Sequence, residues 1–156
     1  MALALAAPLS AAGDWGPVGF LVGQWTGEGG GGPGQGAGGF SFAPDLQGKL
    51  LVRKNWAEYP AQGGKPAFRH DDLTLVYREG GTLKAIYFDS EEHTIRYAVQ
   101  AVEGGVAFVS DASPGPRYRL TYTKDGAAAV KIKFEIAPPG KDFTTYIDAR
   151  ARRTPE

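Results

Sequence analysis

From Gly23 onward the chain is written in short stretches of alternating apolar and polar residues separated by turn residues, which is the signature of antiparallel β structure. The clearest is "VKIKFEI", where Val130, Ile132, Phe134 and Ile136 take one side and Lys131, Lys133 and Glu135 the other. In "RYRLTYT", Tyr118, Leu120 and Tyr122 oppose Arg117, Arg119, Thr121 and Thr123. Leu73, Leu75 and Tyr77, then Ile95, Tyr97 and Val99, extend the same apolar face. The pattern predicts strands over 23–29, 40–43, 49–59, 72–78, 82–88, 94–102, 106–111, 117–123, 130–137 and 143–152. Gly80-Gly81, Gly104-Gly105 and Lys124-Asp125-Gly126 mark tight hairpins between them. Helical periodicity is confined to Trp15–Val22, a turn that fits the end of a barrel.

Strands joined in order by short loops form a meander, and a long meander removes its two exposed edges by closing on itself. The expected fold is all-β, a single antiparallel up-and-down barrel of about ten strands, with a sandwich as the alternative. Its interior would be aliphatic with several tyrosines. A buried hydroxyl without a partner costs about 1–3 kcal/mol, so tyrosines on that face favour a barrel holding a ligand or ordered water over a dry core.

Composition narrows the function. Seventeen basic and seventeen acidic side chains cancel, so the positive footprint that nucleic acid requires is missing. There are no cysteines, which removes disulfides, thiolate metal sites and a Cys nucleophile. His70 and His93 are far apart in sequence and show no metal-ligand spacing, so no metal site is expected. The opening "MALALAAPLSAAG" resembles a secretory h-region with a small-residue cleavage site but lacks a charged n-region. Residues 1–13 are read as a signal remnant or a tail, the rest as one domain; the location is periplasmic or secreted, otherwise cytoplasmic. Pro8 and the shortness of the run argue against a membrane span.

Gly27 to Gly32 satisfy the pattern G-x-G-x-x-G, but the glycines run on into Pro33, Gly34 and Gly36, no helix follows, and no G-K-[ST] is present. They read as a weakly packed first strand and a flexible rim loop. The residues that open the stretch, Gly23-Gln24-Trp25, resemble the G-x-W start of the calycin superfamily, the lipocalins and their relatives. That resemblance implies a Trp closing one barrel end beneath an Arg of the last strand, here Trp25 with Arg150 or Arg152 of "DARARR". "LVGQWTGEGGGG" with the ending "IDARARR" is similar to the nitrobindin family and to uncharacterised bacterial lipocalin-like proteins. The nitrobindin resemblance implies haem, but the segment "GKDFTTYIDARARR" lacks the His, Cys or Met that would hold it, leaving His70 near the second pocket position and Tyr146 as a phenolate donor.

Catalytic constellations are thin, and the reading leans away from an enzyme. Asp71-Asp72 and Glu91-Glu92 are adjacent, so on a strand each pair points to opposite faces, and no serine sits in a G-x-S-x-G setting. The expected function is binding of a small, mostly apolar molecule among Tyr97, Tyr118, Tyr122, Phe134 and Tyr146, with one charged group meeting His70 or an Arg. A haem protein, or a cofactor-free barrel enzyme, is the alternative.

Overall fold

The period-two alternation does build strands. The computed structural model describes residues 13–29, 37–111 and 114–155. In chain order the strands are β1 (Gly23–Glu28), β2 (Ala37–Asp45), β3 (Leu50–Tyr59), β4 (Phe68–Glu79), β5 (Thr82–Asp89), β6 (Thr94–Val102), β7 (Gly105–Ser110), β8 (Arg117–Lys124), β9 (Ala129–Ala137) and β10 (Thr144–Arg153). Each pairs antiparallel with the next, and β1 pairs with β10, so the sheet is a closed ten-strand barrel with no free edge. The proposed tail (1–13, of which only Gly13 is described) and the proposed flexible loop (30–36) fall outside the described residues.

A 3-10 helix, Gly16–Leu21, precedes β1 and plugs one end. It buries Val18 and Leu21, and the neighbouring Trp15 is 3 % exposed. Above this plug the interior is packed with aromatic rings: Trp25, Phe40, Phe42, Phe108 and Tyr122 meet at centroid distances of 5.5–6.2 Å. Val76, Val106, Val130 and Leu51 fill the gaps between them.

The closure involves a different arginine from the expected pair. Arg150 and Arg152 lie on the outer face and both reach Glu28. Arg153, one residue further on, is registered opposite Trp25, and its guanidinium carbon stands 4.3 Å from the Trp25 ring centroid. The physical reason is parity: β10 extends through Arg153, and Ala151 and Arg153 share the inward face. Arg153 also donates to the carbonyls of Phe20 and Val22, both at 2.8 Å, while Trp25 Nε1 donates to Leu21 O at 2.8 Å. These bonds satisfy carbonyls at the end of the helix that no backbone donor reaches. Gly23 permits the approach, since its φ is +124° and a Cβ there would lie 2.7 Å from Arg153 Nη1.

Two further expectations about faces are corrected. On β4 the inward residues are Thr74 and Val76, 3 % and 0 % exposed, and Leu73, Leu75 and Tyr77 face outward. The inward face of β4 is polar because Asp72 meets Arg53 across the β3–β4 pairing. Tyr146, expected inside the barrel, is 61 % exposed and sits where the register shifts between Thr145 and Ile147.

Candidate functional site

The barrel interior divides into two halves. Near the helical plug it is sealed. Towards the opposite end, where β3 finishes and β4 starts, residues of the inward face are only partly buried: Asn55, His70, Tyr87, Ile95, Tyr118 and Phe134 all retain solvent access. At this end the inward side chains form two unlike walls. β8 and β9 supply an aromatic one, in which Tyr118 and Phe134 stack with ring planes 6° apart. β3, β4 and β5 supply a polar one.

The polar wall is anchored by Arg53. Its guanidinium donates to Asp72 Oδ1, Asn55 Nδ2 donates to Asp72 Oδ2 at 2.7 Å, and the Arg53 and Asp72 side chains are 8 % and 5 % exposed. Burial works to lower the Arg53 pKa, but the facing Asp72 charge, joined by Tyr122 and Tyr87, outweighs it and the group is held above its ordinary value. Arg53 also lies 5.7 Å from the Phe40 ring centroid and 6.0 Å from that of Tyr122, so the pair rests on the aromatic floor. A buried pair of this kind is costly to break, by about 3–5 kcal/mol, because the remaining charge has no water to turn to.

From Asp72 the network runs to the rim. His70 Nε2 lies 3.2 Å from the Tyr87 hydroxyl and 3.4 Å from Asp72 Oδ2, and Tyr87 donates to Asp89 Oδ2 at 3.0 Å. The hydrogen bond to Asp72 raises the His70 pKa against the opposing effect of burial. Burial first, then the charges of Asp72 and Asp89, push the Tyr87 hydroxyl well above the usual range, so it stays protonated as a donor. Two buried polar atoms are left over beneath these walls: Arg53 Nε and the Tyr122 hydroxyl have no hydrogen-bond partner among the described residues.

The expected site residues are thus distributed unevenly. Tyr118 and Phe134 form the half-buried aromatic wall and His70 stands on the polar one. Tyr97 and Tyr122 are 4 % and 0 % exposed and belong to the packed floor, where burial raises both hydroxyl pKa values. Tyr146 is exposed and packs perpendicular to the Phe134 ring at 6.3 Å. Sequence reading missed Arg53, Asn55, Asp72, Tyr87 and Asp89. The available signal was polar residues at every second position of "LVRKNWAEY" and "RHDDLTLVY", which marks a strand with a polar inward face.

The haem that the resemblance implies does not fit these residues. His70 Nε2 already faces Tyr87 and Asp72, and the Tyr146 side chain is 61 % exposed to solvent. No helix among the described residues is long and apolar enough to cross a membrane. The chain matches no protein-family model and no curated protein.

Proposed function

We propose that this protein is a lipocalin-like binding module whose open half takes a small, mostly apolar molecule carrying one polar group. The observation that carries this reading is the division of the interior. A barrel that needed only to fold gains most from apolar packing throughout, yet here a connected polar network is held inside beside a stacked aromatic wall. The apolar body of the ligand lies against Tyr118 and Phe134. Its polar group meets His70 and Tyr87.

The charge balance sets the kind of polar group. Arg53 is neutralised by Asp72, whereas Asp89, held by Tyr87 and His93, has no Lys or Arg partner among the described residues and keeps the wall on the negative side. A hydrogen-bond donor or a cation suits it and a carboxylate does not. The Gly23-Gln24-Trp25 start and the Trp25–Arg153 closure support kinship with lipocalins and nitrobindins at the level of architecture.

A neutral amine-bearing fluorophore such as N-phenyl-1-naphthylamine tests the reading. Saturable binding with a Kd of about 10 µM or tighter is expected, weakened at least tenfold by Phe134→Ala and by Tyr118→Ala. Absence of saturable binding, or binding indifferent to both substitutions, refutes it.

A further inference from the structure

The turn between β5 and β6 gathers more donor atoms than a hairpin requires. Asp89 Oδ1 accepts the backbone N–H groups of Glu91 and His93, both at 2.9 Å, and Ser90 N–H donates to Asp71 O on β4. The turn is thereby fixed beside the start of β4, where His70 stands. Nδ1 of His70 and Nδ1 of His93 each lie 3.9 Å from Glu91 Oε2, and Asp89 Oδ2 lies 2.9 Å from His93 Nδ1. A separation of 3.9 Å is too long for a hydrogen bond. It is near the spacing of two ligands on one tetrahedral ion, since bonds of about 2.0–2.2 Å place neighbouring ligand atoms roughly 3.3 Å apart. The donor atoms of His70, Asp89 and Glu91 all fall within 4.8 Å of one another.

The orientation of His70 is an independent observation. A metal-bound imidazole characteristically hands its other ring nitrogen to a carboxylate that fixes the tautomer and the ring plane. Here Nε2 lies 3.4 Å from Asp72, itself held by Arg53 and Asn55, and 3.2 Å from the Tyr87 hydroxyl, partners that favour the N–H on Nε2 and leave Nδ1 facing Glu91. Neither Asp89 nor Glu91 is paired with a Lys or Arg among the described residues. Their charge is therefore available to a cation.

The geometry points to a divalent transition-metal site at the open rim, of the class that imidazole and carboxylate donors favour in Zn²⁺, with His70, Asp89 and Glu91 as ligands and His93, which contacts both carboxylates, as the side chain positioned to complete the set. Closing it takes a contraction of about half an ångström at each Glu91–His gap. Its His93 and Glu91 side chains are 62 % and 46 % exposed, which leaves the ion an entry path and room for the turn to tighten. The site stands independently of the small-molecule reading, because the metal alone is the ligand tested.

Zn²⁺ titrated into the full, chelator-treated chain, followed by calorimetry, is expected to bind one ion per chain with a Kd below about 10 µM. His93→Ala and Glu91→Gln, both at exposed positions and so without consequence for folding, each weaken binding at least tenfold; His70→Ala does the same, with circular dichroism checking its fold. Cobalt(II) bound in place of zinc gives the intense visible absorption of a tetrahedral site. A Kd weaker than about 100 µM, or affinity unchanged in the His93→Ala and Glu91→Gln variants, overturns the assignment.

Discussion

Arg153→Ala is the sharpest test of how the barrel is closed. The substitution removes two charge-assisted hydrogen bonds, to Phe20 O and Val22 O, and the contact with the Trp25 ring at 4.3 Å. Hydrogen bonds to charged groups contribute about 1.5–3 kcal/mol each, and a cation over Trp about 0.5–2 kcal/mol. The three contacts share one side chain and do not add fully, so the low end of each range is appropriate. The expected loss is about 3 kcal/mol. For a chain of this size each kcal/mol moves the melting midpoint by about 2–4 °C, giving a fall of roughly 6–12 °C. Urea unfolding followed by tryptophan fluorescence measures it, with m-values compared to verify that the unfolded state is unchanged. Arg153→Lys keeps the charge but loses the planar fork, and falls between wild type and Arg153→Ala. Arg152→Ala is the control, two atoms of backbone chemistry away but on the outer face, and it leaves the midpoint nearly unmoved. If the two alanine variants are equally stable, Arg153 does not close the barrel and the reasoning fails.

Two other predictions concern the frame. Arg150 and Arg152 hold the Glu28 carboxyl below its ordinary 4.5, and Arg150 holds Asp125 below 3.8. Depressed folded-state values mean that the unfolded chain binds more protons in acid, so this stabilisation is present above the ordinary values and lost as pH falls through them. Arg150→Gln is therefore less stable than wild type at about pH 7, with the gap in urea midpoints closing below about pH 3; a gap constant with pH contradicts the pairing. At Gly105 an added Cβ would lie 1.9 Å from Tyr122 O, so Gly105→Ala costs about 1–3 kcal/mol or more in thermal unfolding, whereas Gly19→Ala, which meets nothing within 4 Å, is neutral or slightly stabilising.

Most of the architecture was legible before any coordinates. Hairpin glycines and period-two alternation locate all ten strands to within a few residues, because loop chemistry and strand period are local properties. Which face of a strand points inward is not local. On β4 both faces carry apolar residues, and the choice is made by Arg53 on the neighbouring strand, which draws Asp72 and Thr74 inward and sends Leu73 and Leu75 out. At β10 the sequence "TTYIDARARR" contains no turn residue to reveal the shift at Tyr146 or the continuation to Arg153. The site suffered most from this. His70 was found as a lone histidine, but beyond Asp72 on its own strand its partners arrive from β5 and the following turn, through cross-strand pairings that a single strand cannot show.

The bond between Arg153 and the carbonyls of Phe20 and Val22 spans 133 and 131 positions of chain. Contacts that distant carry nearly the full entropy cost of bringing the ends together, and folding rates fall as such contacts dominate. During synthesis every hairpin from β2 to β9 can pair as it emerges, but β1 keeps an unpaired edge until β10 is made. Until β10 is made the nascent barrel is thus an open sheet with a sticky edge, and the last arginine of β10 is the latch that ends that exposure.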